Sequence, residues 1–283
     1  MQGKLSLSLS MVIFGTLGLF VRYIPLPSAA IALCRAAVGM VFLLLVMALK
    51  REKPDLRAIR KNGWILVLSA AIMAFNWILL FEAYRYTTVA TATLCYYFAP
   101  IFVTLASPFV LKEALTKKKI ICIFVALCGM VLVSGVLETG VSNVSELMGI
   151  LLGMGAAVLY ACVILLNKKL RDISAYDRTV SQLGIAAVVM AVYLLVLRPE
   201  IPAMGGLEIT MLLVVGIVHT GFAYWLYFGS LAKLPAQTAA IFSYLDPVVA
   251  ILVSALILKE PMSIFGAAGA VLILGATFLS EKS

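Results

Sequence analysis

The chain has 283 residues, of which 64% are hydrophobic and only 12% are charged. An ordinary soluble domain has roughly 25% charged residues, and a disordered chain is polar and highly charged, so the composition excludes both classes. The net charge of +9 comes from basic residues in short loops between apolar runs, which indicates membrane topology and not nucleic-acid binding. The sequence therefore predicts an all-α polytopic membrane protein whose main partner is the lipid bilayer.

Polar residues and prolines divide the chain into ten apolar runs, most of them close to the roughly 20 residues that cross a bilayer as one helix. No cleavable signal peptide is visible, so the first run is predicted to be a transmembrane helix. The third and fourth runs are separated by only a few residues, which predicts a tight hairpin. In chain order the predicted spans are residues 5–21, 28–49, 63–84, 89–111, 120–137, 147–166, 179–197, 208–230, 237–258 and 263–280.

Lys and Arg are distributed unequally between the two sets of loops. If the N-terminus is cytoplasmic, 17 of the 22 basic residues lie in cytoplasmic loops and tails. Only four lie outside, namely Arg22, Arg85, Arg198 and Lys259, and Arg35 lies within a span. Short loops rich in Lys and Arg stay in the cytoplasm. We therefore expect a multi-pass protein of the plasma (inner) membrane with both termini cytoplasmic.

The sequence repeats itself at an offset of 147 residues. Because each half then holds five spans, an odd number, the halves are predicted to have opposite orientations in the membrane, as in many secondary transporters. The predicted domains are residues 1–140 and 141–283, each a five-helix repeat. Three sets of residues align without a gap: Tyr97 with Tyr244, Pro100 with Pro247, and the Leu-Lys-Glu of residues 111–113 with that of residues 258–260.

With these ten spans, the repeat and Arg35 early in the second span, the chain resembles the EamA family of the drug/metabolite transporter superfamily. The resemblance is carried by FEAYRYTTVATATLCYYFAPIFVTLASPFVLKE and by YFGSLAKLPAQTAAIFSYLDPVVAILVSALILKE. It implies a helix bundle that moves amino acids or other small metabolites by alternating access, often outward. The essential first-helix glutamate of the four-helix multidrug relatives has no counterpart, since residues 5–21 carry no charge.

Two prolines at matching positions indicate a substrate site between the halves. Pro100 and Pro247 lie about ten residues, or about 15 Å, into their spans, near the middle of a core about 30 Å thick. Proline interrupts helical hydrogen bonds, and interrupted helices at matching depths point to transporter sites; a packing kink is the alternative. Asp246 precedes Pro247, whereas Ala99 occupies the matching place. Asp246 would bind a substrate ammonium, carry a proton or pair with Arg35; a structural ion pair or helix cap is the alternative.

Arg35 and His219 are the other ionisable residues predicted to lie deep in the membrane. Arg35 needs an anionic or carbonyl partner, which would be a substrate carboxylate or a structural or gating group. His219, the only histidine, has a side chain that titrates near pH 6.5 when unperturbed, so it would suit proton coupling. The alternative is a neutral histidine that packs in the interior.

Aromatic and amide residues complete the predicted site. Glu82 and Arg85, three residues apart on one helix face, would form either an outer gate or a surface pair. The predicted substrate-binding residues are Tyr97, Tyr244, Asp246, His219, Asn76, Trp77 and Tyr224. The predicted gating or structural residues are Arg35, Glu82, Arg85, Pro100 and Pro247.

Other function classes have less support. The sequence contains no nucleotide-binding G-x-x-x-x-G-K-[ST] loop and no catalytic set for an intramembrane enzyme. Its five cysteines form no C-x-x-C pair, and we expect no metal and no cofactor. The leading hypothesis is a secondary transporter, with export favoured, of an amino acid or a related amine, zwitterionic or planar solute. It would work with or without a coupling proton, as a functional monomer or homo-oligomer. An intramembrane enzyme, a channel and a non-transporting scaffold are the alternatives.

Overall fold

A computed structural model describes residues 2–21, 23–87, 92, 95–133, 144–257 and 264–281. The regular elements within these residues are helices. A π-helical turn, Ile217–Phe222, joins the helices Gly206–Gly216 and Ala223–Leu231. The helices are α1 Gln2–Gly15, α2 Leu17–Val21, α3 Ser28–Leu49, α4 Leu56–Lys61, α5 Gly63–Tyr86, α6 Ala99–Val110, α7 Lys117–Val133, α8 Val144–Lys169, α9 Ala175–Leu197, α10 Gly206–Gly216, α11 Ala223–Leu231, α12 Ala236–Phe242, α13 Leu245–Leu256 and α14 Ile264–Glu281.

Several of these helices suit a bilayer by length and composition. Shorter apolar helices are Ala99–Val110 and Ile264–Ala276. Large apolar side chains cover the outside of the bundle, including Leu49, Phe109 and Ile264, each more than 80% exposed. Such a surface is stable in lipid and not in water. Six stretches are long and apolar enough to span: Gln2–Val21, Ser28–Leu49, Gly63–Leu80, Leu147–Lys169, Ala175–Leu197 and Gly206–Leu231.

The start of α9 corrects one sequence expectation. The seventh span was predicted to begin at residue 179, with Arg178 in the preceding loop, but the helix begins at Ala175. Ser174 caps it by accepting a hydrogen bond from the amide of Asp177 at 3.0 Å. Arg178 is buried inside the bundle because its Nη1 donates to the carbonyl of Phe228 at 3.0 Å. A cation that looked like a loop residue is therefore an interior helix contact.

Several of the predicted spans are interrupted in their interior. The first is broken at Thr16, between α1 and α2, where the Thr16 hydroxyl donates to the carbonyl of Ile13 at 2.7 Å. The ninth consists of α12 and α13, with a turn at Ser243 and Tyr244 between them.

The two prolines that match in the repeat both lie in the first turn of a helix. Pro100 follows the turn at Tyr97 and Phe98 that precedes α6, and Pro247 follows the turn that precedes α13. A first-turn proline loses no helical hydrogen bond, because its amide would have no partner there. The prolines therefore begin new helices after a break and do not kink continuous ones.

Loops rich in Lys and Arg gather at one end of the bundle, which we call the basic end (residues 50–62, 111–119, 168–174 and 232–235). Asn62 Nδ2 donates to the carbonyl of Arg171 at 2.8 Å, and the Arg171 amide donates to Asn62 Oδ1 at 3.1 Å. Lys61 Nζ lies 2.8 Å from Asp172 Oδ2. The hydrogen bond and charge of Lys61 lower the pKa of Asp172. Contacts between different loops thus hold this end together.

Glycines allow helices to cross closely, and two crossings illustrate this. A Cβ atom on Gly39 of α3 would lie 2.9 Å from the amide nitrogen of Gly221 in the π-helical turn. A Cβ atom on Gly129 of α7 would lie 2.7 Å from the carbonyl oxygen of Gly269 in α14. Small residues permit such backbone approach in membrane bundles.

Candidate functional site

Tyr97 and Tyr244, which match at the 147-residue offset, contact each other inside the bundle. The Tyr244 hydroxyl donates to the backbone carbonyl of Tyr97 at 3.1 Å, and the ring centroids are 6.1 Å apart. The two side chains are 6% and 0% exposed, so neither faces lipid. Because each residue lies in the turn before α6 or α13, the two helix breaks meet at this point.

The Asp246 carboxyl group lies beside the hydroxyl of Tyr97 and interacts with it electrostatically. It lies in the first turn of α13, where the unpaired amides of a helix favour a negative charge. Its carboxyl group also interacts electrostatically with Tyr160 and Tyr224. A single carboxyl group therefore faces several phenol groups at the place where the two breaks meet.

The phenols around Asp246 form a connected group, which we call the tyrosine cluster (Tyr96, Tyr97, Tyr160, Tyr224, Tyr227 and Tyr244). The rings of Tyr96 and Tyr160 are stacked, with centroids 5.3 Å apart. The hydroxyls of Tyr160 and Tyr227 are 2.8 Å apart. The centroids of Tyr224 and Tyr227 are 6.4 Å apart in an edge arrangement. Helices from both halves of the sequence contribute to the cluster.

Asn76 joins the cluster to α8. Its Nδ2 donates to the carbonyl of Ala156 at 2.6 Å, and its Oδ1 accepts from the Tyr96 hydroxyl at 3.4 Å. Because both groups of the amide are engaged with the protein, Asn76 orients Tyr96. It is predicted to bind substrate, but its geometry is that of a residue that positions another side chain.

Arg35 lies next to Tyr224 of the cluster and next to Trp77. Its guanidinium carbon is 5.0 Å from the Trp77 ring centroid and 6.0 Å from that of Tyr224, distances typical of cation–π contacts. Its Nε donates to Thr220 Oγ1 in the π-helical turn at 3.0 Å. Among the described residues, Arg35 and Asp246 form no ion pair, so each charge keeps its own surroundings.

His219 lies in the π-helical turn, and its imidazole contacts residues outside the tyrosine cluster. Its Nε2 is 3.0 Å from Thr16 Oγ1, at the break between α1 and α2, and its ring packs on Phe20 with centroids 4.8 Å apart. It is buried. The structure thus brings His219 to the α1–α2 break and not to Asp246.

The structure describes only part of the predicted pair of Glu82 and Arg85. Glu82 is half-buried near the end of α5 and has a partner of its own. The side chain of Arg85 lies outside the described residues, and so do residues 258–260 and the predicted domain boundary at residues 140 and 141.

Three members of the cluster are absent from the predicted substrate-binding residues: Tyr96, which is next to Tyr97 in the sequence, Tyr160 and Tyr227. A signal for Tyr227 exists, since it follows the predicted Tyr224 by three residues and so shares its helix face. Tyr160 lies in α8, in a long apolar stretch with no break or charge beside it. Only the packing of α8 against α5 and α6 brings it to the cluster.

Two surface pockets lie away from the cluster. One, of about 420 Å³, lies between Phe75 and residues of α9. The other, of about 440 Å³, is at the basic end between residues 2–4 and Lys233 with Leu234. Neither is lined by the tyrosine cluster, and a cavity between the halves stays a prediction.

The comparisons with known proteins identify the family of the chain. The model of the EamA-like transporter family matches residues 1–135 and again residues 147–281. The chain therefore belongs to the EamA-like transporter family, and it is an integral membrane protein.

The relatives carry transporter names without an assigned substrate. The uncharacterized transporter YxxF of Bacillus subtilis is 29% identical over 281 residues, covering 96% of this chain and 87% of that protein. An uncharacterized transporter of Archaeoglobus fulgidus is 30% identical over 194 residues, covering 67% of this chain and 66% of that protein. A protein of known crystal structure matches with a TM-score of 0.87 at 17% identity, over 98% of this chain and 96% of that one, which shows the fold alone.

Proposed function

We propose that the protein is a secondary transporter of the plasma membrane that moves a small amine-bearing or zwitterionic metabolite by alternating access, with export favoured. The observation that carries this proposal is the Asp246 carboxyl group, which lies beside the Tyr97 hydroxyl among buried phenols. A charge inside a membrane protein is costly and marks a functional site by default. This charge lies where two broken helices meet, as transporter sites do.

The proposed architecture is ten spans in two five-helix repeats of opposite orientation, with both termini cytoplasmic. The Tyr97–Tyr244 contact supports it by a geometrical argument. Two residues related by a two-fold axis are equally far from that axis on opposite sides, so two such residues in contact must lie beside it. The gathering of Lys- and Arg-rich loops at the basic end supports a cytoplasmic location for that end.

Recognition of the substrate follows from the two separate charges. Asp246 would bind the ammonium group, and the faces of the surrounding aromatic rings would stabilise the same cation. Arg35 would bind a carboxylate with the guanidinium nitrogens that Thr220 leaves unused. A solute with both charges satisfies the two residues at once, and a simple amine satisfies Asp246 alone.

Energy coupling is assigned to the same carboxyl group. If a proton and the substrate ammonium compete for Asp246, then binding one releases the other, and movement of the two in opposite directions is coupled. One chain contains both halves, so a monomer is sufficient for this scheme, and a homo-oligomer is compatible with it.

The experiment is a thermal-shift screen of the purified protein in detergent against amino acids, amines and their carboxylate analogues. At a ligand concentration of about 100 Kd, binding adds about 2.7 kcal/mol of stability, which raises the melting temperature by several degrees. We expect amines or zwitterions to stabilise the protein and their uncharged or purely anionic analogues not to do so. Asp172→Asn, which removes an exposed carboxyl group, is the matched control and should keep the response. Stabilisation by anions alone, or by no solute, would contradict the proposal.

A further inference from the structure

The Glu113 carboxylate is bonded to the start of a helix from the other half of the chain. Its Oε1 accepts the amide hydrogen of Ala236 at 2.9 Å, and its Oε2 accepts that of Gln237 at 3.4 Å. These are the first two residues of α12. The preceding residue, Pro235, makes no side-chain cap, so Glu113 supplies the partners that a helix start requires.

Two further side chains, those of Gln237 and Lys168, make hydrogen bonds near the start of α12. Gln237 Nε2 donates to Ser107 Oγ near the end of α6, and both side chains are fully buried. Lys168 Nζ, at the end of α8, donates to the carbonyls of Leu231 and Leu234 at 3.1 and 2.7 Å. Lys168 also interacts electrostatically with Glu113. We call this group the Glu113 clamp (Ser107, Glu113, Lys168, Gln237 and the backbone of residues 231–237).

The clamp holds the helix that leads to the candidate site. Helix α12 has only seven residues, too few to be stable without tertiary contacts. It is followed by the turn at Ser243 and Tyr244, and then by Asp246. Glu113 therefore holds the start of α12 at the basic end, while the turn that follows α12 carries Tyr244 of the tyrosine cluster.

We infer that the Glu113 clamp is the closed cytoplasmic gate of the transporter. This inference rests on the proposed function and on the assignment of the basic end to the cytoplasm. A path from the tyrosine cluster to the basic end requires the ends of α6 and α12 to separate. That movement breaks the bonds from Glu113 to Ala236 and Gln237 and the bond from Gln237 to Ser107. Only a few hydrogen bonds hold the gate closed, and two of them involve the Glu113 carboxylate. One substitution can therefore weaken the gate without changing the tyrosine cluster or Asp246.

The experiment measures access to the path behind the clamp. Ser243 is 2% exposed and lies six residues, or about 9 Å along a helix, beyond Gln237. Cysteine is introduced as Ser243→Cys, and a membrane-impermeant methanethiosulfonate is added to inside-out vesicles. The labelling rate of this one peptide is read by mass spectrometry, so the native cysteines stay in place.

Glu113→Gln should label about tenfold faster than the parent, because losing a charge-assisted bond to two amides shifts a two-state equilibrium by about that factor. The matched control is Glu52→Gln, which removes the same charge from an exposed position at the same end and should leave the rate unchanged. Equal rates in the parent and Glu113→Gln would overturn the gate.

A second measurement tests whether the clamp opens and needs no chemical labelling. Hydrogen exchange at the amides of Ala236 and Gln237 should be slow in the parent and faster in Glu113→Gln, with exchange in α5 and α8 unchanged. If Glu113→Gln does not fold, Glu113→Asp is used, because it keeps the charge but shortens the reach. Failure of both variants to fold would show a permanent structural cap and would also overturn the gate.

These measurements need no substrate, so they are independent of the ligand screen. If no solute stabilises the protein, the accessibility result still decides whether the clamp opens. If solutes bind but access behind the clamp never changes, the transporter proposal stands and the gate must be elsewhere.

Discussion

The Tyr244 hydroxyl donates to the backbone carbonyl of Tyr97 at 3.1 Å, across 147 positions of sequence. The same offset relates the two halves of the chain. A symmetric arrangement would direct the Tyr97 hydroxyl to the carbonyl of Tyr244, but this hydroxyl interacts with the Asp246 carboxyl group. Ala99, which matches Asp246, offers no such acceptor. The contact between the two tyrosines is thus asymmetric, and the asymmetry lies at the one carboxyl group to which the proposed transport site is assigned.

The paired tyrosines give a test that separates binding from stability. Tyr97→Phe removes the hydroxyl group that interacts with Asp246, so the affinity for an amine ligand should fall about tenfold, the order expected for one hydrogen bond to a charged group. Tyr244→Phe removes a bond to a backbone carbonyl and should cost about 1 kcal/mol of stability with little change in affinity. Isothermal titration and thermal unfolding of both variants check this. Equal losses of affinity in the two would contradict the role of Tyr97.

Replacement of Arg35 should reduce stability even when the charge is kept. Arg35→Lys loses the Nε bond to Thr220 and the flat contact with Trp77, together worth about 2 kcal/mol, because an ammonium cannot reproduce the planar group. Thermal unfolding in detergent should show a drop of several degrees. The comparison variant is Arg35→Gln, since Gln182 occupies the matching position of the other half. An unchanged melting temperature in Arg35→Lys would show that Arg35 is not a structural anchor.

The proposed topology predicts one-sided labelling. Cysteines at Arg57 and Lys118, both exposed at the basic end, should react with an impermeant maleimide in inside-out vesicles and stay unreacted in intact cells. Residues at the opposite end, such as Glu200, serve as the reverse control. Labelling of either basic-end position from outside intact cells would overturn cytoplasmic termini.

Asp172 should contribute little to stability at any pH. Lys61 lowers its pKa, so the stabilising effect is present above the unfolded-state pKa of about 3.9 and is lost as the pH falls through the lower folded-state pKa. Both side chains are more than half exposed, and solvent screens such pairs. Asp172→Asn and the parent should therefore melt within error of each other at pH 7 and at pH 3. A clear difference at pH 7 that disappears at pH 3 would show a stronger pair than this.

Much of the helical framework could be predicted from apolar run length. The predicted span at residues 28–49 coincides with α3, because Pro27 begins it and Lys50 ends the apolar run. Helix breaks inside the predicted spans are harder to predict from the sequence. The Thr16 break and the π-helical turn at residues 217–222 contain no proline. They depend on contacts with other helices, such as the hydrogen bond between Arg35 and Thr220.

The candidate site was predicted in outline and completed by packing. Asp246, Tyr97 and Tyr244 could be found from the repeat, because an offset compares positions directly. Arg178 was assigned to a loop because a charge usually ends a transmembrane run; its burial depends on the Phe228 carbonyl, 50 residues away. Tyr160 likewise reaches the cluster only through tertiary structure. Sequence periodicity reports local burial, whereas these residues are defined by distant partners.

The most direct test of the central claim is transport by Asp246→Asn. The substitution keeps the shape of the side chain and removes its charge and its titrating proton. The parent and the variant are reconstituted into liposomes, and uptake of a solute that stabilises the parent is measured from pH 5 to pH 8, with Asp172→Asn as the control. The account predicts that Asp246→Asn inserts and melts like the parent but loses transport or its pH dependence. Transport by Asp246→Asn that equals the parent at every pH in this range would contradict it.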